Sequence, residues 1–152
     1  MKTVVFLRIA AVLTLIHSAL HTFGGVYGAI SPGPAAVAVA AMKANRFDAM
    51  GSLRTFWDFH MGLGLVVTVF LTMEAVVFWL LASLARNNAD KLRPILVIFA
   101  IGYLALSVVA YNYIFIGPVI TEIVIALCLI AAAVSTRPSA VASRFPDSNA
   151  AA

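Results

Sequence analysis

Four apolar runs, each close to the length of a bilayer crossing, limit what this chain can fold into more than any other feature. A helix needs about 20 mostly apolar residues to cross the hydrocarbon core. Runs of that kind cover residues 4–25, 55–84, 94–112 and 118–134. The chain has 152 residues, is 63% hydrophobic and only 11% charged, so little remains for a soluble domain. The predicted fold class is all-α: a polytopic membrane four-helix bundle with a short interfacial helix in the first outer loop. Residues 135–152 are small, polar and proline-containing, and read as a disordered polar tail.

The first run could be mistaken for a signal peptide. Arg8 interrupts it, His17 and His21 follow, and no A-x-A cleavage pattern is present, so an uncleaved helix is expected. Ser31-Pro32-Gly33-Pro34 marks a turn. Ala35 to Met42 is too short to span, so a helix over about 34–47 is predicted to lie at the interface. Phe56-Trp57 and Phe59 open the second run, and Tyr111 and Tyr113 close the third. Trp57, Tyr111 and Tyr113 are the interfacial aromatics. Asp90 is placed to cap the third helix, with Pro94 in its first turn. Cys128, alone in the last run, reads as a packing residue.

A net charge of +4 and a pI near 9.6 do not indicate nucleic acid, because the basic residues sit at the ends of apolar runs. They report topology instead. With both termini inside, Lys2, Arg8, Arg86, Lys91, Arg93, Arg137 and Arg144 fall on the inner side. Only Lys43, Arg46 and Arg54 fall outside. This bias favours cytoplasmic N- and C-termini.

Glu74 and Glu122 lie inside membrane-length runs, where a charged side chain costs about 2.5–3.5 kcal/mol at mid-membrane. Counting helical rise gathers His17, His21, Asp58, His60, Asn112 and Glu122 in the outer third of the bundle. Glu74 shares the His60 face but lies about 21 Å further along. It is expected in the inner half, with Arg86, Arg93 or Ser107 as partner.

Several readings of these residues stay open. His17 and His21, one turn apart, could join His60 and Glu122 around a metal, or the histidines could hold haem. The same cluster could bind a hydrophobic small molecule or do acid–base work on it. Glu74 could serve as the proton or ion site of a small proton-coupled transporter. The last reading is structural: the polar groups satisfy each other and set helix register in an assembly protein without a ligand. Membrane lipids are the expected partners, nucleic acid is not, and a homo-oligomer would suit the transporter reading.

The stretch Met42 to Gly64, above all Phe56-Trp57-Asp58-Phe59-His60, together with His21-Thr22-Phe23-Gly24-Gly25, resembles a family of small bacterial inner-membrane proteins with four predicted helices and no assigned function. The resemblance implies a four-pass fold in a bacterial inner membrane and nothing catalytic. The architecture is also broadly similar to DoxX-like proteins and to sterol-isomerase-like membrane bundles, with no motif that transfers a role to a particular residue.

Overall fold

The computed structural model describes residues 2–136, which are mostly helical. Three helices are long and apolar enough to cross a membrane, and one apolar helix is shorter. Helix α1 runs Lys2–Leu20 and widens into one π-helical turn over His21–Val26. There the Tyr27 N–H reaches back five residues to the Thr22 carbonyl, at 2.9 Å. Helix α2 (Pro34–Ala44) opens on a proline, which needs no hydrogen-bond partner at that position.

The interfacial helix expected to reach residue 47 stops earlier. Asn45 is already extended (φ −89°, ψ 114°), and its side-chain amide closes α2 by donating to the Ala41 carbonyl at 2.7 Å. The chain then forms a β-hairpin absent from the sequence reading. Strands β1 (Arg46–Ala49) and β2 (Ser52–Thr55) pair antiparallel, with Arg46 opposite Thr55. Met50 and Gly51 both have positive φ, 54° and 86°, the backbone of a type I′ turn. The Asp48 carboxylate accepts from the Gly51 N–H at 2.7 Å and ties the turn.

Helix α3 spans Phe56–Tyr113, 58 residues. A straight helix of that length would measure about 87 Å, nearly three times the hydrocarbon thickness of a bilayer. It is not straight. Asn88 leaves helical geometry (φ −136°, ψ 37°), in the polar stretch Arg86-Asn87-Asn88. Beyond it the chain doubles back. Tyr103 bonds to Glu74, and the Phe78 and Phe99 rings meet at 5.0 Å. Both pairs share one midpoint, between residues 88 and 89, so α3 is two antiparallel arms hinged there. The connection expected over 85–93 is therefore a single break, and Pro94 lies within the second arm. Helix α4 (Ile116–Val134) follows an extended Phe115. From residue 137 the expected tail lies outside the described residues.

Helix α1 packs antiparallel to the first arm of α3. Thr22 meets Thr68 and Ser18 meets Thr72, again two pairs with one midpoint. The core contains fully buried Leu7, Phe78, Leu96, Ile125 and Leu129, separated by Ala10, Ala82, Ala126 and Ala132. Small residues let helix backbones approach, the packing that holds where the surroundings are as apolar as the core. The outer surface is apolar as well: Phe23, Ile98 and Val134 are 75%, 69% and 73% exposed, the reverse of a water-facing surface.

Gly64 faces Val26 of the π turn across a tight contact. A Cβ there would come within 2.7 Å of Val26 Cγ2, whereas one at Gly62 would meet nothing within 4 Å. Gly64→Leu is expected to destabilise the fold by about 1–3 kcal/mol, the usual cost of overpacking. Gly62→Leu should be near neutral, as read from thermal unfolding of the detergent-solubilised variants.

Candidate functional site: a polar seam in an apolar interior

Thr14, Ser18 and Thr22 recur every four residues on α1, and Gly64, Thr68 and Thr72 do so on α3. Each set is a stripe along one helix face. The stripes meet. His21 Nε2 lies 3.0 Å from the Gly64 carbonyl. A carbonyl only accepts, so His21 carries its proton on Nε2. The Thr22 and Thr68 hydroxyls are 2.9 Å apart, as are those of Ser18 and Thr72. The same hydroxyls also reach backbone carbonyls: Thr22 to Ser18 at 2.7 Å, Thr72 to Thr68 at 2.8 Å and Thr68 to Gly64 at 3.2 Å. Each hydroxyl has one proton and more than one acceptor, so the seam can redistribute its donors without breaking contact.

At the inner end of the seam the Tyr103 hydroxyl donates to Glu74 Oε2 at 2.6 Å. Thr14 Oγ1 lies 3.4 Å from the same hydroxyl. With Tyr103 donating to Glu74, Thr14 donates to Tyr103, and three side chains from α1 and both arms of α3 form one chain. Tyr103 is 1% exposed and Thr14 is fully buried. The partners expected for Glu74 are replaced. Ser107 instead donates to its own-helix Leu104 carbonyl at 2.7 Å, and Arg86 and Arg93 are exposed. Sequence reasoning missed Tyr103. Its signal was a phenol in mid-run, away from the interfaces where tyrosines gather.

Two further ionisable side chains are buried at this depth. His17 and Glu122 are each 8% exposed, and His17 Nδ1 and Glu122 Oε2 are buried with no hydrogen-bond partner. Glu122 is within electrostatic reach of Tyr103, and His17 of His21. Register agrees. The reversal between Tyr113 and Ile116 sets Glu122 level with Ser107. Ser107 lies one turn beyond Tyr103, level with Ser18. Because Glu74 lies opposite the Thr14 to Ser18 stretch, it is level with His17, not in a separate inner zone as expected.

The hydroxyl seam lies on one side of this level; on the other, the buried Thr3 and Thr136 lie only at the far end. From Glu74 outward run Thr14, Ser18, Thr72, Thr68, Thr22 and His21. In the other direction Leu7, Phe78, Leu96 and Leu129 close the core.

The remaining members of the expected cluster serve elsewhere. Asp58 and Thr55 form a reciprocal cap on α3: Asp58 N–H to Thr55 Oγ1 at 3.0 Å and Thr55 N–H to Asp58 Oδ2 at 2.7 Å. The T-x-x-D spacing was the sequence signal for this. His60 is exposed and stacks on Trp57, with ring centroids 5.2 Å apart. Lys43 of α2 lies over the same indole at 4.8 Å. Asn112 is exposed and donates to its own-helix Val108 carbonyl at 2.7 Å. Tyr111 and Tyr113 are 73% and 83% exposed. The Thr22–Thr68 and Ser18–Thr72 pairs set Gly64 level with Val26, so Asp58 and His60 stand one to two turns beyond the π turn that ends α1.

Among the described residues, no three His, Cys, Asp or Glu side chains converge closely enough to hold a metal ion. The set His17, His21, His60 and Glu122 is not assembled, because His21 is engaged at Gly64 and His60 lies at the exposed end. Comparison with known families, with curated proteins and with solved structures returns no match in any of the three.

Tyr103→Phe removes the donor to Glu74 and keeps the ring. It is expected to destabilise by about 1–3 kcal/mol, the penalty for stranding a buried polar group. Glu74→Gln keeps a carbonyl acceptor for Tyr103 and should cost less. Thermal unfolding of the two variants side by side checks the order.

Proposed function

We propose that this chain is a four-pass integral membrane protein that works as a small proton-linked transporter, with Glu74 as its proton-binding residue. In this reading α1, the two arms of α3 and α4 form a four-helix bundle across a bacterial inner membrane. The Lys and Arg bias described above supports cytoplasmic N- and C-termini.

The observation that carries the proposal is the Thr14–Tyr103–Glu74 chain, which runs from the buried core to a half-buried carboxyl group. Ionised, Glu74 accepts from Tyr103, which accepts from Thr14. Protonated, Glu74 becomes a donor, and every bond in the chain can reverse. The carboxyl therefore keeps a partner in both states and can exchange its proton without being stranded. The seam of hydroxyls supplies a hydrogen-bonded approach from one side. The apolar plug on the other side suits a carrier that opens to its two faces in turn rather than an open pore. The unpartnered atoms of His17 and Glu122 are groups that a bound solute, or water accompanying it, would satisfy. The metal and outer-leaflet ligand readings keep His17 and Glu122, while Asp58, His60, Asn112 and His21 are engaged in a helix cap, a ring stack and bonds to backbone carbonyls.

Two measurements test this. In a Cys128→Ala background, single cysteines at Asn88 and Ile114 should be labelled by an impermeant thiol reagent from opposite sides of the membrane. Labelling from one side would remove the four-pass topology. Purified protein in liposomes holding a pH-sensitive dye should show proton movement that depends on an added solute, screened across small polar and lipophilic compounds. Glu74→Gln should abolish that movement, and His60→Ala should leave it near wild type. Movement unaffected by Glu74→Gln would sink the assignment.

A further inference from the structure

Arg8 lies in the second turn of α1, inside a run of apolar residues. Its Nε is buried with no hydrogen-bond partner, and the guanidinium sits over the Trp79 ring, 4.9 Å from the centroid. The cation thus rests over an indole face, within cation–π range. Beside it runs a groove of about 350 Å³ lined by Val5, Arg8, Ile9, Val12 and Leu13. Val5, Ile9 and Val12 face outward, 54%, 43% and 48% exposed, away from the Glu74 seam. The groove follows α1 from Val5 to Leu13, about 12 Å, a large part of one leaflet's hydrocarbon depth.

We propose that this groove binds an acidic phospholipid, with the headgroup phosphate on the Arg8 guanidinium and an acyl chain along Val5, Ile9, Val12 and Leu13. The two halves of the site ask for different chemistry. The guanidinium is a forked donor matched to phosphate oxygens. The wall beside it offers only hydrocarbon. A phospholipid carries both groups in one molecule at this spacing, and an anionic one also balances the cation. The depth of Arg8 agrees, since it lies about 9 Å from the start of α1, on the headgroup side of Ile9, Val12 and Leu13. Arg93 provides an internal comparison. It lines a second apolar groove near the same end of the molecule, but its side chain is exposed rather than held against a ring.

The test is native mass spectrometry of the full chain released from detergent and titrated with phosphatidylglycerol or phosphatidylcholine. Wild type should retain phosphatidylglycerol preferentially. Arg8→Gln should weaken phosphatidylglycerol binding about fivefold, as expected for loss of one cation at an anionic headgroup, and leave phosphatidylcholine unchanged. Arg93→Gln should have less effect. Ile9→Trp fills the groove but keeps the guanidinium, and should lower the adducts of both lipids. It keeps the proposal testable if Arg8→Gln does not fold. Wild-type affinity for phosphatidylglycerol in Arg8→Gln or in Ile9→Trp overturns the site. So does an equal loss in Arg93→Gln, which would mean diffuse basic charge. A shift in the monomer–dimer ratio of Arg8→Gln with lipid adducts unchanged would give the groove to a second copy of the chain, and also overturns it.

Discussion

A half-buried carboxyl group among apolar side chains needs a hydrogen-bond partner in whichever protonation state it holds, and Tyr103 is that partner for Glu74. The bond does more than satisfy one residue. It joins the two arms of α3 at a single register, and through Thr14 it brings in α1. Slipping either arm by one residue would turn Glu74 or Tyr103 about 100° away from the other and leave both stranded. Interhelical hydrogen bonds in membranes are modest, about 0.6 kcal/mol on average. Their effect is selective: they penalise every other packing of the same apolar surfaces.

Apolar burial alone would not choose among those packings. The inner faces carry alanines beside Leu7, Phe78, Leu96 and Leu129, and the outer faces are equally apolar. The alanines set how close the helices come. The stripes Thr14-Ser18-Thr22 and Gly64-Thr68-Thr72 set which faces meet, because there the hydroxyls find each other as partners. Gly64 serves both ends: its carbonyl accepts from His21, and its missing side chain makes room for Val26.

Much of the helical layout was legible in the sequence, since run length and the polar breaks at Ser31–Pro34 and Arg86–Asn88 are local properties. Pro34 opened a helix as expected. The hairpin over residues 46–55 was not legible. It has no strong alternation, and its type I′ turn places Met50 in a conformation that glycine or asparagine usually takes. The site was only half legible. Glu122 and Glu74 were recognised as costly groups in apolar runs, and His17 by its one-turn spacing from His21. Asp58, His60 and Asn112 were grouped with them by counting from helix ends, which assumes that all helices start at one level. The first arm of α3 extends one to two turns past α1, and that offset moved Asp58 and His60 out of the site and brought Glu74 level with His17.

The sequence by itself determined that the chain is helical, apolar on its outside and forced to satisfy a few polar groups within. Those are consequences of composition and period, which each segment carries alone. Only the tertiary structure decided the partners. The Asn88 break places Tyr103 against Glu74 across 29 residues, and the antiparallel register of α1 places Ser18 against Thr72. A hydrogen bond depends on distance and direction between atoms far apart in the chain, and no local periodicity encodes either.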